Sequence, residues 1–126
     1  MKPYELKLND SDLINLHKAL LEAKFHMTPE NELVAGSPVV ANIYIQIRDL
    51  LIESDRSGQW KDWFLLKNRP DRRGQAIALM QRSKRRDRWE QMTLEEKRKF
   101  ARNYLAPFLF DEEELENVIA EADGGG

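Results

Sequence analysis

No cysteine occurs among the 126 residues, and long apolar runs are absent too. Without thiols the chain cannot form disulfides, supply a thiolate nucleophile or build a zinc site on sulfur. Its apolar stretches are short, such as Trp63 to Leu66, whereas a membrane-spanning helix needs about 20 apolar residues. The first residues also lack the apolar core of a secretion signal. We therefore expect a cytoplasmic protein that does not associate with membranes.

Motifs for catalysis or metal binding are missing as well. The glycines Gly36, Gly58 and Gly74 are isolated, so the chain has no phosphate-binding loop. His17 and His26 are separated by a spacing that does not suit metal binding on one helix. His17 lies beside leucines of a predicted helix, which indicates a histidine at the edge of the core rather than a general base. We expect no enzymatic activity, metal, cofactor or small-molecule substrate.

What the chain does contain is apolar residues at helical spacing over most of residues 11 to 122. Side chains at positions i, i+3, i+4 and i+7 share one helix face, so these patterns predict helices. The predicted helices cover residues 11–25, 38–53, 60–64, 72–89, 94–106 and 111–122. A chain of this length suits one domain. We predict an all-α fold, a single compact bundle of five or six helices over residues 1–126, with 1–8 and 123–126 irregular or flexible.

Local signals mark where three of these helices begin. Ser37 can cap a helix, and Pro38 suits the first helical position because its missing N–H would have no partner there. Thr93 and Glu96 have the spacing of a capping box, in which each side chain bonds the other residue's backbone amide. Asp111 is the predicted cap of the last helix.

The most apolar segment, Val39 to Glu53, predicts the central buried helix. Its predicted core face consists of aliphatic residues at helical spacing: Val40, Ile43, Ile47 and Leu51. Alternating β-branched residues at 43, 45 and 47 also fit a strand, but the length of the segment and the Ser-Pro start favour a helix. We therefore predict that both Ile43 and Ile47 lie in the core.

Charge is separated into blocks along the chain. Residues 67–102 hold thirteen Lys or Arg and five Asp or Glu, a local charge of +8. Residues 103–126 hold seven acids and no base, a local charge of −7. Such blocks indicate more about partners than the net charge of −2 does.

The basic block contains the clearest candidate for a binding surface. If a helix runs to Trp89, the side chains of Arg82, Arg85 and Arg86 share one of its sides with the indole. Arginine binds phosphate and carboxylate groups through a planar fork, and a basic face with an aromatic ring is typical of nucleic-acid backbone contacts. We predict that a partner contacts Arg82, Arg85, Arg86, Arg88 and Trp89. Further anion-binding residues are predicted at Arg69, Arg72, Arg73, Lys97, Arg98 and Arg102.

Three interpretations of this segment stay open. It can be a face that is solvated or paired with the chain's own acids, a surface for an acidic protein, or a nucleic-acid contact. The aromatic residues Trp63 and Phe64 are expected in the core. For Trp89, a core position and a surface position fit the sequence equally well. We predict a non-enzymatic protein–protein interaction module, such as an adaptor, an inhibitor or a small subunit of an assembly. The alternative is a nucleic-acid-binding protein, or a subunit of a nucleoprotein complex, that uses residues 69–102.

Overall fold

Seven α-helices and two 3-10 turns account for most of residues 2–26, 33–83 and 88–124, the part of the chain that the computed structural model describes. The helices are α1 Asp10–Lys24, α2 Leu33–Gly36, α3 Pro38–Ser54, α4 Gln59–Trp63, α5 Pro70–Ser83, α6 Leu94–Leu105 and α7 Glu112–Gly124. The 3-10 turns are Leu66–Asn68 and Trp89–Gln91. In these residues no strand forms, although an isolated parallel bridge joins Leu65 to Leu109. The prediction of an all-α bundle is confirmed.

The helices begin where the local signals predicted. The Ser37 hydroxyl accepts a hydrogen bond from the amide of Val40 at 3.2 Å, which caps α3. At the start of α6, Thr93 and Glu96 form the predicted capping box. The Asp111 carboxylate accepts from the Glu114 amide at 2.8 Å before α7. These contacts satisfy amides that the first helical turn leaves without carbonyl partners.

Two groups of helices meet around the core. α1 packs along α3, whereas α5, α6 and α7 pack on one another. The short helix α2, which lies in a segment predicted to be a loop, contacts α1, α3 and α6. Side chains from both groups are completely enclosed, among them Tyr44, Phe64, Met80, Leu105 and Val118.

The core face of α3 differs from the predicted one. Ile47 and Leu51 are buried as predicted, but Ile43 is 47% exposed, so its assignment to the core was wrong. Tyr44 occupies the central position instead, and its hydroxyl reaches α1. Helical spacing alone allowed either residue on the core face; the hydrogen-bonding partner on α1 selects the tyrosine.

The predicted helix from residue 72 to 89 was wrong at its end. The described part of α5 extends to Ser83, and Arg88 has a left-handed backbone with φ of 55°, so a helix does not continue through Arg88 to Trp89. Trp89 follows in a 3-10 turn and is 1% exposed, packed against the Phe100 ring. Its indole N–H donates to Asp123. Burial of the indole between α6 and α7 holds Trp89 in this 3-10 turn.

Residues 1–8 and 123–126 were predicted to be irregular or flexible, and the structure describes residues 2–8 and 123–124 of them. Residues 2–9 form no regular secondary structure and precede α1, which the Asn9 side chain caps. At the other end, Asp123 and Gly124 are the last described residues of α7, and Asp123 accepts the bond from Trp89. None of the helices in the described part of the chain is both long and apolar enough to cross a membrane.

Candidate binding surfaces

The basic and acidic blocks of the sequence meet in the structure. Within the described residues, ion pairs join bases of α5 and α6 to acids of α7: Arg73–Glu121 at 2.5 Å, Arg98–Glu116 at 2.7 Å, Arg102–Glu112 at 3.5 Å and Lys97–Asp123 at 3.6 Å. Hydrogen bonds to Glu116 and Glu95 raise the pKa of the Arg98 guanidinium. Ion pairs of partly exposed side chains add little to stability. Their effect here is to pair four bases of the basic block with the chain's own carboxylates.

Two of the other predicted anion-binding residues also contact their own chain. The Arg69 guanidinium lies 4.5 Å from the centroid of the Trp63 ring and donates to the Trp63 carbonyl oxygen at 3.1 Å. Arg72 donates to the Gln75 side-chain oxygen at 3.2 Å. The structure therefore brings these two arginines to different neighbours rather than to one anion site.

The predicted partner-binding face of Arg82, Arg85, Arg86, Arg88 and Trp89 does not form one helical side. Arg82 is exposed on α5, and Arg88 is exposed at the left-handed position before Trp89. Arg85 and Arg86 lie outside the described residues. The Trp89 side chain faces the core, so as placed it offers no surface to a partner. Binding by the arginines stays a prediction.

His17 joins α1 to α3 inside an aromatic cluster. Its Nδ1 lies 2.7 Å from the Tyr44 hydroxyl oxygen, which also lies 3.1 Å from the His17 carbonyl oxygen. Both hydrogen bonds form together when Nδ1–H donates to the hydroxyl and the hydroxyl donates to the carbonyl. The rings of Trp60, Trp63 and Phe64 surround the imidazole at 4.8 to 5.3 Å between centroids.

Burial and, to a smaller extent, the positive charge of Lys18 together lower the pKa of His17 to about 4. Burial also raises the pKa of Tyr44. A histidine that is neutral at physiological pH and enclosed by rings is suited to structure rather than to proton transfer. The predicted position of His17 at the core is confirmed; its ring is more deeply buried than an edge residue.

Lys24 is a buried charged residue that the sequence analysis did not single out. Its ammonium donates hydrogen bonds to the carbonyl oxygens of Ala35 and Asn103, each at 2.7 Å. Burial lowers its pKa to about 7. The signal in the sequence was its position on the apolar stripe of α1 that includes Leu13 and Leu20, where a solvated charge is not expected.

The exposed side of α3 carries an apolar stripe that the sequence analysis also missed. Val39, Ile43 and Leu50 lie within about 40° of one another at about 100° per residue. All three are exposed, Ile43 and Leu50 at 47% each. The stripe is about 16 Å long, from the helical rise per residue. Because the apolar residues of α3 were all expected in the core, the sequence pattern did not separate this stripe from the core face.

A second exposed apolar feature is the segment before α1, residues 2–9, which we call the N-terminal arm. Apolar side chains occupy alternate positions of the arm at Tyr4, Leu6 and Leu8. Tyr4 and Leu6 are 91% and 82% exposed. Leu6 and Leu8 line a shallow, open depression against α1 together with Asp12, Asn15 and Leu16. This contact covers little of the arm.

Comparisons with other proteins add no family to these observations. In the described residues no group of three or more histidines and acids is placed to hold a metal ion. No protein family, curated protein or solved structure that was compared with the chain matches it.

Proposed function

We propose that this protein is a non-enzymatic protein-interaction module that docks its partner on the apolar stripe of α3. The observation that carries the proposal is the alignment of Val39, Ile43 and Leu50 on a solvent-exposed side of the helix. Exposed apolar residues that occur singly need no explanation, whereas several on one side of a helix indicate an interaction surface, here with the exposed Gln46 between Ile43 and Leu50. Recognition between helices and extended segments commonly uses such a row of apolar anchors.

The stripe has two distinct edges, and these define the partner's chemistry. Asp49 and Glu53 are exposed on one side of it, and Asp49 already forms an ion pair with Arg48 at 2.8 Å. The opposite edge leads to Ile47 and the core. A suitable partner segment therefore presents apolar side chains to the stripe and a basic group to Glu53, since complementary charge improves the rate and specificity of association.

Nucleic-acid binding by residues 69–102 has less support. A phosphate backbone needs several basic side chains that exchange counterions for phosphate groups. In this protein Arg73, Lys97, Arg98 and Arg102 already face carboxylates of α7. Each would have to give up an internal partner before it met a phosphate.

Photo-crosslinking from the stripe tests the proposed function. A crosslinking amino acid is placed at position 43 or 50, and as a control at position 94, because Leu94 of α6 is 50% exposed and equally apolar. We expect a discrete crosslinked protein from 43 and 50 but not from 94. With the crosslinker at position 43, the double substitution Val39→Ser and Leu50→Ser should abolish that product, whereas Leu94→Ser should leave it.

The proposal is wrong if position 94 yields the same product as position 43, or if the double variant retains it. Circular dichroism of each variant controls for folding. The substituted side chains are half-exposed, so the helical signal should be preserved.

A further inference from the structure

The stripe and the N-terminal arm are two exposed apolar features of one chain. We propose that they meet between molecules, so that the arm of each copy lies over the α3 stripe of a second copy and the two copies exchange arms. This inference rests on the proposed function of the stripe and names its occupant. A reciprocal exchange makes both contacts twice and closes as a symmetric dimer.

The arm matches the stripe in length and in the number of anchors. In an extended chain alternate side chains point to the same side, and four residue steps cover about 13 Å. Tyr4, Leu6 and Leu8 thus form a row of three apolar groups nearly as long as the row on α3, which measures about 16 Å. Each partner supplies three apolar residues to the contact.

The charges of the arm are those expected of the occupant. Lys2 precedes its three apolar residues, whereas Glu5 and Lys7 lie between them in the sequence and point to the other side of an extended chain. The stripe is bordered by Glu53 and by Asp49, which is already paired with Arg48. The arm carries a net positive charge and meets an acidic edge, which is the complementarity that steers association and disfavours like-charged partners.

The position of the arm explains why a second copy, rather than the same chain, provides it. The arm lies against Asp12 and Asn15 of α1. These residues are about 150° around the helix from His17, whose imidazole contacts Tyr44 of α3. The arm therefore extends from the side of α1 that faces away from α3. Its own stripe is on the other side of α1, whereas the stripe of a second molecule has no such obstacle.

Analytical ultracentrifugation of the intact chain and three variants tests the exchange. We expect the intact chain to dimerise as its concentration rises. Deletion of residues 2–8, or the pair Ile43→Ser and Leu50→Ser, should give a monomer at every concentration. Leu94→Ser should dimerise like the intact chain, since Leu94 belongs to neither feature.

Mixing two non-dimerising variants gives a sharper result. The chain without its arm retains the stripe, and the stripe variant retains the arm. An exchanged dimer predicts that the mixture forms a heterodimer with one of the two contacts, weaker than the intact dimer but absent from either variant alone. Direct packing of α3 on α3 predicts no such rescue.

Site-specific crosslinking checks the contact itself and is simplified by the lack of natural cysteines. One chain carries Leu6→Cys and a tagged second chain carries Ile43→Cys, and a short bis-maleimide joins thiols that approach each other. We expect the tagged heterodimer from this pair and not when Leu94→Cys replaces Ile43→Cys.

The outcomes separate this inference from the proposed function. A chain that is monomeric at all concentrations, or a dimer that survives deletion of the arm, overturns arm exchange. If photo-crosslinking from position 43 still captures a discrete protein in that case, the docking function of α3 stands. Loss of both results overturns both proposals.

Discussion

The ammonium of Lys24 donates a hydrogen bond of 2.7 Å to the carbonyl oxygen of Asn103, 79 residues further along the chain. The same group reaches the carbonyl of Ala35 in α2. Both carbonyls lie in last helical turns, which have no intrahelical amide to satisfy them. A cation at such helix ends is favoured by the helix dipole. Lys24, itself the last residue of α1, thus connects the C-terminal ends of three helices.

The first prediction concerns Lys24 and alkaline pH. Its pKa is about 7 in the folded chain, against an ordinary 10.5, so the unfolded state binds more protons between these values. Stability should therefore rise as pH increases from 7 to 9.5, by on the order of 2–3 kcal/mol from this group. Urea unfolding at both pH values measures the change. Lys24→Met should remove the rise, whereas Lys18→Met, on the exposed side of the same helix, should keep it.

The second prediction concerns His17 and acid. The folded pKa of about 4 lies below the ordinary 6.5, so His17 favours folding above pH 6.5 and this contribution disappears as pH falls through 4. The loss should be on the order of 1–2 kcal/mol after solvent screening is allowed for. His17→Phe keeps an aromatic ring, and the Tyr44 hydroxyl keeps the backbone carbonyl as acceptor. An acid unfolding curve of this variant as steep as that of the intact protein would contradict the prediction.

The third prediction compares two isoleucines of α3. Ile47→Ala should lower the free energy of unfolding by about 2–5 kcal/mol, because it leaves a cavity in the core. Ile43→Ala should cost less than about 1 kcal/mol, since the side chain is 47% exposed. Denaturant unfolding of both variants provides the measurement. Equal losses would place Ile43 in the core, as the sequence pattern suggested.

The fourth prediction concerns Trp89. Because its indole is enclosed and its N–H donates to Asp123, Trp89→Ala should cost about 3–5 kcal/mol of stability. Glu90→Ala, at the exposed neighbouring position, is the matched control and should change stability by less than about 0.5 kcal/mol. If Trp89 instead served a partner surface, its removal would weaken binding and leave the unfolding curve unchanged.

Several features were determined by the sequence alone because their causes are local. The cap of α3 at Ser37, the capping box of Thr93 with Glu96 and the cap of α7 at Asp111 each depend on residues within one turn. Helical spacing of apolar residues likewise predicted an all-α fold, since a helix must bury its apolar side. No distant residue is needed to specify these features.

Other features were decided only by tertiary structure. Spacing could not choose between Ile43 and Tyr44 on α3, because the choice depends on His17 across the interface with α1. Trp89 lies outside the predicted helix because its indole packs against Phe100 of α6 and bonds Asp123 of α7. The basic block met the acidic block only because the packing of α5 and α6 on α7 brings Arg98 beside Glu116. Local sequence sets where helices begin, but which sides they bury and which charges they neutralise depend on neighbours that lie far apart in the chain.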